Sequence, residues 1–521
     1  MAVRAVDAYT RFVLEHRVLT TSVVLALLVT LAVVSARYKI FTCDEIYTLR
    51  IAQQPTLKAM LAVSRELDLH PPLHYLLARA SLHAGAVLGL PVWLMAMLPD
   101  MLLMCAALLC MIAFVSRRLG FAYGLLAALA VALGPALAVT WSDRPYALWV
   151  GFLALLCVCW QRAAEAQRSA WWLLGVLVAS TATLATHMGG MPCVLAFAVV
   201  EAIRWRRRRT PDWPLWVALF APLSLSVLYL RQTTSFHQNS FAPAYMPSVD
   251  TWVSMYGGLI AVPLMVVVGA IAVDALLHVG LQKSAAETSR GAPDAGCRFK
   301  REEIALGVML LVLPSLLQLT AALRTTQFFT RYGICGALGI AILLPVAVHR
   351  LARDARPAIA MALIGFVSYA GILTHDGFYG VFQPSRADMM GVHAAELATL
   401  RPDLPMVIAR PTMFVEMNQA EPADLLHRVY YVYDRDAARE FSGSTVFEDI
   451  GRAAELLHFD AHTAPWPAFA AEHKQFVLIG EIDETEEWLP RYLIAHGDHV
   501  ETLGRFHSRY ADTDAWLVTL R

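Results

Sequence analysis

The sequence predicts a polytopic α-helical membrane protein of about eleven transmembrane helices, carrying a small extracytoplasmic α/β domain at its C-terminal end. Three observations lead there. Of 521 residues, 58% are hydrophobic and 16% charged, against about 25% charged in an ordinary soluble domain. Apolar runs long enough to cross a bilayer recur through residues 1–376, and from 377 onward they give way to short strand-like runs. Charge divides at the same place: residues 377–521 carry 23 acids and 12 bases, whereas 1–376 carry 19 and 30, although the whole chain nets zero.

The expected spans cover 18–36, 92–115, 120–140, 145–160, 170–187, 189–204, 214–230, 255–280, 303–322, 332–348 and 357–375. About 20 helical residues cross the hydrocarbon core, and only a helix satisfies its own backbone there. The first run is too long for the apolar stretch of a cleavable signal peptide, so we read it as an uncleaved anchor. Lys and Arg fix the orientation. With the N-terminus cytoplasmic, the inner segments hold Arg4, Arg11 and Arg17, then Arg117 and Arg118, Arg162 and Arg168, Arg204 with Arg206 to Arg209, Lys283 to Arg301, and Arg350 to Arg356. Positive residues accumulate on that side, and an odd number of spans then puts the C-terminal domain outside the cytoplasmic (inner) membrane.

Between the first two spans, the outer loop 37–91 is expected to hold short helices over 46–53 and 56–66. A further helix after Pro71-Pro72 is too short and too polar to span, which suits the interface. In the C-terminal domain, strands are expected at 406–409, 429–433, 476–480, 500–506 and 515–520, with helices at 447–457 and 484–495 between some of them. That domain contains neither a phosphate-binding loop nor a dinucleotide fingerprint.

Composition also excludes some partners. The basic run Arg204 to Arg209 directly follows an apolar segment, where it acts as an orientation signal, and no nucleic-acid partner is expected. The eight cysteines give no disulfide framework, and most lie in apolar stretches as packing residues.

Chemistry-bearing residues gather on the predicted outer side: Asp44 and Glu45, Asp68 and His70, Asp143 and Arg144, His187, Arg324 and Arg331. Ser142-Asp143-Arg144-Pro145-Tyr146, Thr186-His187 and Thr330-Arg331-Tyr332 each sit where a span meets a tight loop, so several helix ends would offer polar groups to one mouth. Asp44-Glu45-Ile46-Tyr47, Asp68-x-His70-Pro71-Pro72-Leu73-His74-Tyr75, Arg144-Pro145-Tyr146-Ala147-Leu148, Thr186-His187 and Arg331-Tyr332, in this order, resemble the bacterial protein O-mannosyltransferase-like membrane glycosyltransferases. These belong to the GT-C superfamily, glycosyltransferase family 39 and its relatives. The resemblance covers residues 1 to about 375.

It implies a GT-C-like catalytic domain over 1–376 that transfers a sugar from a polyprenyl phosphate to an acceptor outside the membrane. Lipid, glycan and protein hydroxyls all remain open as acceptors. The resemblance makes Asp44 the general base, and Glu45 either orients Asp44 or the acceptor, or caps the helix that follows. Asp68, His70, Arg144, Tyr146, His187, Arg331 and Tyr332 would bind the substrate. His70 stands where relatives have Lys or His and could meet the lipid phosphate; Arg144 and Arg331 match positions near the phosphate or the sugar, with a structural ion pair to Asp143 as the competing account for Arg144. No cofactor is required. A divalent ion is left open, because His70 and His74 are four apart with Asp68 close by, but the Pro-Pro pair takes His70 out of the regular helix. The rival readings are a transporter or flippase of lipid-linked sugars and a non-catalytic envelope assembly protein. A transporter calls for midplane ionisable groups and internal repeats, and neither is clear in the sequence.

Overall fold

The computed structural model describes residues 2–38, 41–68, 70–134, 138–165, 169–227, 245–282, 299–323, 327–352, 354–365, 367, 368, 371, 394–507 and 512–521. The expected domain boundary at 376/377 and Arg324 lie outside them.

Each of the eleven expected spans overlaps a helix among the described residues, in several cases over only part of its length. An amphipathic α1 (Ala2–Glu15) leads into α2 (Arg17–Tyr38). The outer loop forms α3 (Cys43–Ala52), α4 (Leu57–Leu67) and α5 (Leu73–Leu88), in the three places expected. The bundle continues through α6 (Val92–Leu119), α7 (Phe121–Ala132), α8 (Tyr146–Glu165), α9 (Ala170–Thr186), α10 (Gly190–Arg208) and α11 (Trp213–Phe220). It closes with α12 (Val249–Gln282), α13 (Arg301–Leu323), α14 (Gly336–Leu351) and α15 (Arg356–Gly365). Among the described residues, five helices are long and apolar enough to cross a membrane by themselves. They are Arg17–Arg37, Val92–Leu119, Tyr146–Glu165, Val249–Leu277 and Arg301–Leu323.

The expected run 120–140 ends early as a regular helix, because Gly134-Pro135 follows in sequence and proline can supply no amide donor. What remains of it, α7, is buried along its whole length against α6 and α14. Leu264, Met265 and Val268 on α12 and Leu316 and Leu319 on α13 stay exposed. So many exposed large apolar side chains suit a lipid-facing surface and not a watery one.

Helix direction sorts the charges. Tyr146 opens α8 at the candidate site and Glu165 closes it, about 30 Å away at the helical rise. There Glu165 and Glu303 bind Arg118, Lys300 meets Glu165 at 3.1 Å, Arg207 meets Glu302 at 2.7 Å, and Arg204 bridges Glu201 and Asp212. Arg118, Arg204, Arg207 and Lys300 of the predicted inner segments thus meet at one end of the bundle, and the described residues of the predicted outer group meet at the other.

In the C-terminal domain, the strands β1 (Met406–Ile408), β2 (Val429–Tyr433), β3 (His462–Pro465), β4 (Gln475–Gly480), β5 (His499–His507) and β6 (Asp512–Thr519) form one sheet. Its order is β3-β2-β1-β4-β6-β5, with β3 to β4 parallel and β6 antiparallel to both neighbours. Side chains alternate across it, as strand geometry requires. Val407, Phe476 and Leu478 face a layer containing Trp466, Phe469 and Trp488. Met406, Ile408, Val477 and Ile479 face α16 (Pro411–Ala420), in a cluster that also takes in Phe41, Ile46 and Leu49 of the outer loop and Met97 and Met101 of α6. One face of the sheet is therefore built into the membrane part, and this places α16 beside α3.

Candidate active site

Local sequence fixes α3. Thr42 precedes it, and Glu45 at its third position reaches back to accept from the Thr42 N–H at 2.8 Å. Its other carboxylate oxygen accepts from the backbone N–H of Asp143 at 3.1 Å. Glu45 is fully buried and ties the start of α3 to the turn before α8. Of the two expectations for Glu45, this geometry is that of the helix cap. Asp44 lies one residue earlier and faces the other way, with its side chain 41% exposed.

Around Asp44 the expected residues converge. Arg331 Nη2 lies 3.3 Å from Asp44 Oδ2, and Arg144 Nε lies 3.8 Å from the same oxygen. Arg144 is buried; its Nη1 meets Asp68 Oδ2 at 3.3 Å and donates to the Asp44 carbonyl and to Thr48. Its guanidinium is thus committed to Asp44 and Asp68, and not to the Asp143 partner weighed from sequence. Asp68 also holds His70 Nδ1 at 2.5 Å. Burial pushes the Asp68 carboxyl up, but the His70 and Arg144 charges outweigh it and hold the group well below the usual carboxylate range. For Arg144, burial opposes the charge, and Asp44 and Asp68 raise its pKa further above the ordinary value.

An aromatic wall completes the mouth. His70, Tyr146 and His187 lie with ring centroids 5.1 to 6.5 Å apart, Tyr332 is 6.1 Å from His187, and Arg331 sits 5.8 Å above Tyr146. His187 stacks on Trp149 at 4.4 Å, and its Nδ1 accepts from the Gly189 N–H, which leaves the ring proton on Nε2. A Cβ on Gly189 would lie 2.6 Å from Trp149 and 3.0 Å from His187 Nδ1, so this stack needs glycine there.

The nine residues expected to catalyse or to bind substrate thus lie together, with Glu45 behind the others, while Arg324 is outside the described residues. Sequence reasoning missed Trp149, although it lies one helical turn from Tyr146 on α8 and so on the same face. It also missed Glu416 of α16, whose carboxylate accepts from the Cys43 N–H at 3.2 Å. No local signal could reveal a contact 373 residues away. Burial pushes the Glu416 carboxyl up to about 7, with the Cys43 N–H opposing and Glu45 adding to the rise.

Glu416 yields a prediction with a definite sign. An acid whose pKa is higher when folded binds more protons in that state, so its contribution is fullest below its ordinary pKa and declines as pH rises toward 7. The melting temperature in detergent is expected to fall between pH 5 and 8, and Glu416→Gln should flatten that slope. An equal slope in the variant would mean that the raised Glu416 carboxyl does not contribute to it.

The divalent-ion expectation shifts position. Asp68 and His70 pair with each other, whereas His74 faces Asp100 and Asp143 in a buried group able to hold a metal ion.

A bundle of apolar helices, a loop-borne carboxylate set between arginines at one helix end, and a sheet domain packed over that end define a multi-pass membrane protein of the GT-C fold. ArnT from Cupriavidus metallidurans bound to undecaprenyl phosphate shares this fold at 15% identity, with a TM-score of 0.55 over 96% of this chain and 97% of that one. The same protein in the apo state gives 12% identity and a TM-score of 0.56 over 95% and 98%. The likeness is one of fold, and it does not reach glycosyltransferase family 39. No protein-family model matches the chain, and no curated protein sequence does.

Proposed function

We propose that the chain transfers a monosaccharide, hexosyl or pentosyl, from a polyprenyl phosphate to an acceptor hydroxyl at the extracytoplasmic face of the cytoplasmic membrane. The observation that carries this reading is the seat of Asp44, a half-exposed carboxylate between Arg331 and Arg144 beside an aromatic wall. ArnT, which has the same fold, binds undecaprenyl phosphate. In this chain Arg331 is the exposed cation at the mouth, and a donor phosphate entering from the bilayer would draw it from Asp44. The freed carboxylate then takes the proton of the acceptor hydroxyl as its oxygen bonds to the anomeric carbon. The bond from that carbon to the phosphate oxygen breaks with its electron pair, and the arginines stabilise the departing polyprenyl phosphate. Attack opposite the leaving group inverts the anomeric centre. The aromatic rings suit a sugar face, and the sheet domain closes over the acceptor side.

The direct test supplies purified protein in nanodiscs with undecaprenyl phosphate carrying a hexose or a pentose, and follows release of undecaprenyl phosphate. Release with none of the sugars, together with translocation of the intact lipid, would move the assignment to a flippase. Reporter fusions within 281–302 and after 376 are expected to report the cytoplasm and the outside respectively; a shared side would remove the orientation.

Arg331 carries the second prediction. A charge-assisted contact to phosphate contributes about 1.5 to 3 kcal/mol, so Arg331→Ala should weaken binding of undecaprenyl phosphate by roughly 10- to 150-fold. The fold should persist, because the side chain is 42% exposed and its ion pair is half in solvent. Unchanged lipid affinity in a folded variant would take Arg331 out of the site.

A further inference from the structure

Beneath the candidate active site, three elements distant in sequence bring His74 of α5, Asp100 of α6 and Asp143 of the turn before α8 together. One ligand atom from each lies within 4.8 Å of the others. The three residues are 1%, 0% and 0% exposed. His74 Nε2 is 3.6 Å from Asp143 Oδ1, and neither ring nitrogen of His74 makes a hydrogen bond among the described residues. We propose that this group binds a first-row transition-metal dication, of the Zn²⁺ or Mn²⁺ class, that pins α5 and α6 to the turn launching Arg144.

The chemistry of the donors argues for this. Two carboxylates held side by side away from bulk water repel each other. A dication answers both charges at once. One imidazole with two carboxylates is a mixed nitrogen and oxygen set that suits Zn²⁺ or Mn²⁺, whereas Ca²⁺ and Mg²⁺ prefer oxygen alone. Metal bonds of about 2.0 to 2.2 Å require the donors to close by roughly 1 Å, a shift that side-chain rotation can supply. Three protein ligands leave a position open for water.

Asp44, Asp68 and His70 are not part of the group, so the ion is not the proton acceptor and does not touch the donor phosphate. Its consequence is positional. Asp143 holds Glu45 through its backbone N–H, and the next residue, Arg144, reaches Asp44 and Asp68. An ion on Asp143 therefore fixes both the cap of α3 and the origin of the arginine. The inference stands independently of the transferase reading, because its test uses no activity.

The test is elemental analysis of the full-length protein purified in detergent without chelator. About one equivalent of zinc or manganese per chain is expected, with loss of that metal in Asp100→Asn and in His74→Gln. Asp100→Asn keeps shape and removes only charge; should either variant fail to fold, the wild-type protein alone decides. Stripped with chelator, it should melt lower and recover its melting temperature on adding Zn²⁺ or Mn²⁺. Metal-free protein that neither ion stabilises would overturn the proposal in favour of a proton shared by the two carboxyl groups. Metal retained undiminished in both folded variants would also overturn it, since the ion would then sit elsewhere.

Discussion

Asp44→Asn is expected to abolish sugar transfer while leaving the protein folded and the donor bound. Asparagine keeps the shape of the side chain and an acceptor oxygen, but it cannot take up a proton at neutral pH. A general base contributes roughly 10² to 10⁴ in rate, or about 3 to 5 kcal/mol of barrier. The structural cost is much smaller. Both the Asp44 and Arg331 side chains are about two-fifths exposed, and ion pairs of that kind contribute about 0 to 1 kcal/mol. Glu45→Gln provides the contrast, because both Glu45 oxygens already accept backbone hydrogen bonds in a buried position. An amide placed against either N–H loses one of those bonds, so this variant should melt lower rather than fail at chemistry. Turnover of Asp44→Asn above about a tenth of wild type, well beyond what loss of a base allows, would end the catalytic assignment.

How far the sequence foretells this arrangement depends on the range of the physics involved. Helices α3, α4 and α5 follow from Thr42, Thr56 and Pro72 at their starts, which are local signals. The convergence of Asp44, His70, Arg144, His187 and Arg331 also follows from sequence, because alternating spans deliver every second helix end to one side. What spans cannot give is the pairing within that end. Arg144 is adjacent to Asp143 in sequence, yet turns to Asp44 and Asp68, because the start of α3 and the end of α4 bring those carboxylates against it while His74 and Asp100 take the other side of the turn. The strand β3 goes unforeseen for a different reason: His462–Pro465 is partly exposed at a sheet edge and contains proline, so neither alternation nor propensity marks it. The packing of α16 on α3 joins residues more than 370 apart, beyond the reach of any periodic pattern.

Arg144→Met is expected to cost more in folding than any other substitution at the site. The guanidinium is nine-tenths buried, meets Asp68 at 3.3 Å and Asp44 at 3.8 Å, and also donates to the Asp44 carbonyl and Thr48. Methionine fills much of the volume but leaves Asp68, whose side chain is only 12% exposed, with the His70 ring beside it and no guanidinium. Breaking a buried pair from one side costs about 3 to 5 kcal/mol, because the abandoned charge stays buried. The loss should therefore appear as a large fall in melting temperature and in yield of folded protein, beyond any loss of donor binding. Asp68→Asn added to Arg144→Met removes the stranded charge and should recover most of the folding while activity stays absent. That non-additivity is the signature of a shared network. If the single variant melted with wild type, Asp68 would not depend on Arg144, and the arginine would act only on the substrate. If the double variant melted below the single one, Asp68 would be stabilising through His70 alone.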